Sequence, residues 1–212
     1  MGPMPETEFD AILCDLDGVL RWWDPEIMSG LDRANGLPRG TLAKTAFAPD
    51  RLNPAITGVQ TDEQWRAAIA ADLAEACATP EAARALVAEW SAHAGEVVDE
   101  VAELLAAARE HVPVILVSNA TTRLESDLAR LGIADLLDEV VNSARVGIAK
   151  PDPGIYRFAA ARAGVPEARC LFVDDTLQNV EAARGLGMRA LHHQNPAQLR
   201  ETLAPLLRRA SE

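Results

Sequence analysis

The chain has 212 residues, 32 acidic against 20 basic, a formal net charge of −12 and 49% hydrophobic residues. That apolar share can fill a core and excludes a disordered chain, and the length fits one generous domain or a domain carrying an insertion. The acidic excess argues against nucleic acid as a partner, because phosphate backbones are bound by basic surfaces.

Neither of the usual membrane signals is present. No run of about 18 apolar residues exists to span a bilayer. The first ten residues carry Glu6, Glu8 and Asp10 and do not read as a signal peptide. Cys14, Cys77 and Cys170 are an odd number and far apart, so neither a metal spacing nor a disulfide framework is expected. Cys14 and Cys170 read as small buried hydrophobes, and a cytoplasmic location follows.

Five short apolar runs recur along the chain: Ala11–Cys14, Val112–Val117, a weaker Leu136–Val141, Cys170–Val173 and a weak Met188–Leu191. Continuous runs of this length predict strands buried on both faces, as in a parallel sheet. The helices between them are punctuated. Thr61 with Gln64 fits a capping box, and Thr79-Pro80, Asp152-Pro153 and Asn195-Pro196 each set a cap residue before a helix-opening proline. Gly132, Gly164 and Gly187, each followed by an apolar residue, predict Schellman stops. Strand, helix, glycine stop, strand is the grammar of an open α/β sheet. From about Trp22 to Ala94 no strand is expected. Trp65, Ile69 and Leu73 at four-residue spacing, and Leu86 with Trp90, predict an all-helical insertion with these side chains as its core. It would lie over the carboxyl edge of the sheet, where such folds bind ligands.

The chemistry-bearing residues follow the predicted strands. Asp15 and Asp17 come after the first, two residues apart and able to face one site, and Gly18 lets the chain turn. Alone, that pair reads equally well as solvated turn residues. A second pair, Asp174 and Asp175, after the fourth strand breaks the tie. In a parallel sheet all carboxyl ends meet at one edge, where so many carboxylates require a cation, and hard oxygen donors imply Mg²⁺. Ser118 and Asn119 end the second strand. Lys150, one of only two lysines, precedes a helix and is placed to balance that acidic charge.

Acidic pair, Ser-Asn, Lys-Pro, acidic pair, in that order, resembles the haloacid dehalogenase-like hydrolase superfamily over essentially the whole chain. The stretches VGIAKPDPGIYRFAAARAGV and LFVDDTLQNVEAARGLGM resemble the branch that holds the phosphatase domain of soluble epoxide hydrolase and bacterial sugar-1-phosphate phosphatases. The resemblance implies a Rossmann-like parallel sheet with helices on both faces, formed by residues 1–20 and 95–212, and an inserted helical cap at 21–94. It implies a magnesium-dependent phosphatase acting on a small phosphate monoester, a sugar phosphate among the candidates.

Asp15 would be the nucleophile and Asp17 the general acid and base. The metal would be held by Asp15, the Asp17 carbonyl and Asp175, with Asp174 and Asn179 behind them. Ser118, Asn119 and Lys150 would bind the phosphoryl group. Arg21, Trp22 and Trp23 are candidates for the substrate entrance, with core packing an equal alternative for the tryptophans. Arg51, Asn53 and Thr57 read as polar loop residues of the cap; His93, His111, His192 and His193 read as structural or surface. A 2-haloacid dehalogenase lacks the second Asp of the first motif. A phosphosugar mutase needs cap residues that hold a bisphosphate, and a non-catalytic binding protein on the same fold is the remaining alternative.

Overall fold

The structure, a computed structural model, describes residues 9–208. The segment read as lacking a signal peptide therefore lies almost wholly outside the described residues. Strand β1 (Ala11–Cys14) is followed by a two-residue strand β2 (Arg21–Trp22), then by five helices: α1 (Glu26–Ala34), α2 (Thr41–Ala46), α3 (Pro49–Ile56), α4 (Asp62–Leu73) and α5 (Pro80–Ser91). After β3 (Glu96–Val97) come α6 (Asp99–Arg109), β4 (Val114–Ser118), α7 (Leu124–Leu131), β5 (Glu139–Asn142), α8 (Ser143–Val146) and α9 (Pro153–Ala163). The last described elements are β6 (Cys170–Asp174), α10 (Leu177–Gly185), β7 (Arg189–His192) and α11 (Pro196–Arg208).

The main sheet has five parallel strands in the order β5-β4-β1-β6-β7. Its central strands are buried on both faces because their side chains alternate between two cores. Ile12, Cys14, Val114, Leu116, Leu171 and Val173 face one core, covered by α6, α7 and α11. Leu13, Ile115, Val117 and Phe172 face the other, which receives Ile155, Tyr156 and Ala159 of α9 and Ala183 of α10. This is the expected Rossmann-like α/β layering. Among the described residues no helix is long and apolar enough to cross a membrane.

The predicted punctuation forms. Thr61 and Gln64 make the capping box, and Thr79 and Asp152 accept from Ala82 N–H and Gly154 N–H. Gly132, Gly164 and Gly187 all take positive φ. The six-to-one bonds of the Schellman stop run from Ile133 N–H to Leu128, Val165 N–H to Ala160 and Met188 N–H to Ala183.

Helices α1–α5 build a third core of their own around Leu42, Trp65, Ile69, Leu73 and Leu86. Two expectations for this region fail. Arg21 and Trp22 form a strand, paired antiparallel with Val97 and Glu96. A strand of two residues has no readable period, and its partner lies beyond all five helices in the sequence. Arg51 and Asn53 lie in helix α3, with Thr57 as its C-cap. Pro54 is accommodated near the end of this short helix.

Candidate active site

Asp15 directly follows β1 and stays in the ladder, its N–H donating to Val173 O at 2.9 Å. The loop behind it is tight: Arg21 N–H donates to Leu16 O and Gly18 N–H to Arg21 O. Gly18 has φ +76°, and a Cβ there would collide with the Asp175 carboxylate. That close approach brings the first acidic pair against the second. Carboxylate oxygens of Asp15, Asp174 and Asp175 all lie within 4.8 Å of one another.

Lys150 enters this cluster from the loop before α9. Its Nζ lies 2.8 Å from Asp15 Oδ1, 2.7 Å from Asp174 Oδ2 and 2.9 Å from Val117 O. Those three acceptors use all three ammonium donors. The loop is held by a reciprocal amide clamp: Asn119 Nδ2 donates to Lys150 O at 2.8 Å, and Lys150 N–H donates to Asn119 Oδ1 at 2.7 Å. Asp174, fully buried, also accepts from Thr176 N–H and from Asn179 Nδ2, so its oxygens are saturated. Asp175 is exposed and carries the freer carboxylate, bonded by Thr176 Oγ1 at 3.1 Å.

The electrostatics follow from burial. Burial pushes the Asp15 carboxyl up to about 7; Lys150 pulls against that, while Asp174 and Asp17 add to it. Burial also opposes the charge on Lys150, but Asp15 and Asp174 outweigh it and hold the ammonium above its ordinary range. A single lysine thus faces two buried carboxylates, with a third acid beside them. Oxygen donors in this number and spacing suit a hard divalent cation such as Mg²⁺.

Asp15, Asp17, Gly18, Ser118, Asn119, Lys150, Asp175, Thr176 and Asn179 line one cavity of about 310 Å³. The structure therefore brings together every core residue expected at the site, with Asp174 beneath them. Asp17 stands at the boundary with a second cavity of about 440 Å³ under the helical region. There Arg21 grips it through Nε and Nη2, at 2.6 and 3.0 Å, and Trp23 Nε1 donates to it at 2.7 Å. Arg21 and Trp23 line the larger cavity; Trp22 lines neither and is half exposed. Trp65 and Trp90 pack edge to face in or against the helical core, yet both also reach this cavity.

One supporting residue, Ser143, escaped the sequence reading, and the two histidines read there as structural or surface find a structural role. Ser143 Oγ accepts from Ala120 N–H and fixes the loop after β4. His193 N–H donates to Asp174 O, and His192 Nε2 is 2.9 Å from Asp175 O, so both histidines brace the acidic turn. Only the His-His pair itself was visible beforehand, without the strand pairing that gives it this role.

A doubly covered parallel sheet with an acid–lysine cluster at its carboxyl edge defines an α/β enzyme of the hydrolase type. The chain belongs to the haloacid dehalogenase-like hydrolase family, whose profile matches residues 9–187. A phosphatase of Mycobacterium tuberculosis is 50% identical over 56 residues, 26% of this chain and 26% of its own. The first curated relatives are matched over only 12–30% of their lengths. A phosphoglycolate phosphatase of Pectobacterium atrosepticum is 26% identical over 87% of this chain and 80% of its own. A family enzyme of Bacteroides thetaiotaomicron, solved with magnesium and inorganic phosphate, shares the fold at a TM-score of 0.70 and 21% identity. That match covers 88% of this chain and 94% of its own.

Proposed function

We propose that this protein is a magnesium-dependent phosphatase that hydrolyses a phosphate monoester through phosphoryl transfer to Asp15. The observation that carries this reading is the convergence of Asp15, Asp17, Ser118, Lys150 and Asp175 on one small cavity. The relatives named as phosphoglycolate phosphatase and N-acetylmuramic acid 6-phosphate phosphatase, matched over 87% of this chain, support it.

An Asp15 oxygen attacks phosphorus in line with the ester oxygen; the new P–O bond forms as the old one breaks. Asp17 delivers a proton to the departing alkoxide and later takes one from the water that attacks the aspartyl-phosphate. As described, Asp17 is an ion-paired acceptor. Releasing it for proton transfer requires Arg21 to turn toward Asp127, its second partner at 3.5 Å. Ser118 and the Asn119 N–H bind phosphoryl oxygens. Lys150, with its donors already spent, acts as a fixed positive charge that positions Asp15 and works against the effect of burial on its carboxyl. Asp174 and Asn179 hold Lys150 and the acidic turn in place. A magnesium ion held by Asp15, the Asp17 carbonyl and Asp175 would screen the charge that gathers as one anion approaches another.

Residues 21–94 serve as a cap that selects the leaving group, and the cytoplasm is the working compartment, in keeping with the free Cys14, Cys77 and Cys170. The third acid beside the buried pair favours this reading over a 2-haloacid dehalogenase, which needs no cation at its nucleophile. The deciding experiment is phosphate release from an aryl phosphate with and without Mg²⁺, run beside halide release from 2-chloropropionate. Phosphate release that needs Mg²⁺ supports the proposal; halide release without phosphate release defeats it.

A further inference from the structure

The loop 118–122 carries two kinds of residue. Ser118 and Asn119 line the small cavity beside Asp15, and the residues after them hold the loop in shape. Two of its pins come from the sheet side, from the end of β5 and the start of α8. Thr121 O accepts from Asn142 Nδ2 at 3.0 Å, and Ala120 N–H donates to Ser143 Oγ at 3.0 Å. A further pin crosses from the helical region and is reciprocal. Thr121 Oγ1 donates to Asp62 Oδ1 at 2.7 Å, and Asp62 N–H donates to Thr122 Oγ1 at 2.9 Å.

Each half of this clasp meets a requirement. Asp62 opens α4, so its N–H is one of the first-turn donors that find no acceptor within the helix. The N-cap residue Thr61 already uses its hydroxyl on Gln64 N–H, and the core residue Thr122 serves Asp62 instead. The Asp62 carboxylate is buried, and a buried charge requires partners. Arg66 Nε pairs with Oδ2 and Thr121 takes Oδ1. Arg66 is fixed in turn by its contact with Ser91 and lies 5.1 Å from the Trp90 ring centroid. A carboxylate braced in this way is held in one orientation. The turn that leads into Asp62 is also seated on the core, because at Gly58 only the absence of a Cβ allows approach to the Ala144 carbonyl. Ala144 follows Ser143, the residue that pins Ala120. Clasp and seat thus converge on the loop that carries Ser118 and Asn119.

We infer that Asp62 is a positioning residue: through Thr121 and Thr122 it fixes the phosphate-binding loop from the helical region, so that phosphate occupancy and docking of the turn 57–62 strengthen each other. This rests on the phosphatase reading, in which Ser118 and the Asn119 N–H take the phosphoryl oxygens. Donors of that kind work only when aimed, and a loop released from one of its pins loses aim. The effect is reciprocal by linkage: whatever the clasp adds to phosphate affinity, bound phosphate adds to the clasp.

The test uses the full chain with Mg²⁺ and inorganic phosphate as the probe, titrated calorimetrically and as an inhibitor of aryl phosphate hydrolysis. Thr121→Val removes the hydroxyl at nearly constant volume; Thr121→Ser keeps it. The valine variant is expected to weaken phosphate binding about threefold to tenfold and to raise KM by the same factor, with kcat within about twofold. The serine variant should stay within about twofold of the wild type throughout. Mg²⁺ affinity measured without phosphate should stay within about twofold in both, whereas a general loosening of the site would lower it as well. In the wild type, phosphate should slow hydrogen exchange in the segment 57–66, and Thr121→Val should remove that protection. Thr122→Val breaks the other half of the clasp and should shift phosphate affinity in the same direction, which keeps the test open if Thr121→Val does not fold. Wild-type phosphate affinity in the valine variants, equal losses of phosphate and Mg²⁺ affinity, or exchange in 57–66 that ignores phosphate overturns the inference and leaves the phosphatase reading standing. A wild-type protein that neither binds phosphate nor hydrolyses the aryl ester overturns the phosphatase reading and, with it, this role of Asp62.

Discussion

At the carboxyl edge of the sheet, charge is concentrated on rigid supports: Asp15 and Asp174 continue ladder-bonded strands, and Lys150 is clamped at both its backbone and its ammonium. Across Asp17, the helical region offers the opposite surface, with indoles and aliphatic chains around the Asp62–Arg66 and Asp127–Arg123 ion pairs. The difference separates two tasks. Phosphoryl transfer needs fixed charge at one point, so it is placed where the backbone is least free to move. The neighbouring helical core supplies a more apolar wall that can vary in shape without touching the charged edge.

The widest split between the two regions should come from Asp15→Asn. Turnover should drop on the order of 10⁴-fold or more while far-UV circular dichroism stays unchanged. A variant that keeps a tenth of the activity would remove Asp15 from the mechanism. Lys150→Met should act on stability as well, because it strands two buried carboxylates. A urea titration should read a loss of about 3–5 kcal/mol, the usual cost of breaking a buried pair.

Metal should couple to the sheet edge and not to the helical region. Burial raises the folded Asp15 carboxyl to about 7, whereas the unfolded group titrates in the ordinary carboxylate range near 3.8. Between those values the folded state binds more protons, so metal-free stability should fall as pH rises through that window. Mg²⁺ binds the ionised form, so its stabilisation should grow over the same range, reaching about 2.7 kcal/mol at a hundredfold excess over Kd. Thermal melts at pH 5 and pH 8 with Mg²⁺ or chelator test this; a larger metal effect at the lower pH would contradict it.

Two smaller perturbations probe how the regions are joined. Gly58 has φ +74°, and a Cβ there would strike the Ala144 carbonyl of α8. Gly58→Ala should therefore cost roughly 1–3 kcal/mol and alter KM more than the response to Mg²⁺. Thr61→Ala removes only the cap of α4. A loss of about 1 kcal/mol, or roughly 2–4 °C in Tm, is expected with kcat intact. A large fall in kcat from either would mean that the two regions are not separable.

The sheet strands, the capped helix starts, the glycine stops and the residues of the acidic edge were all legible in the sequence. Alternating burial, capping and Schellman geometry act over a few residues, so the local chain carries them in full. The order of acidic pair, Ser-Asn, Lys-Pro and acidic pair was legible because a parallel sheet brings every strand's carboxyl end to one edge. Only the tertiary structure decided what depends on distant partners. The β2–β3 pair joins Arg21–Trp22 to Glu96–Val97, on either side of helices α1–α5. The Asn119 amide turns to Lys150, 31 residues on, instead of outward. Arg21 takes hold of Asp17 and reaches Asp127, and Trp65 and Trp90 present themselves to a cavity as well as to a core. Side chains of this kind have several satisfactory partners, and which one wins is fixed by how the helical region packs over the sheet, a choice no local pattern encodes.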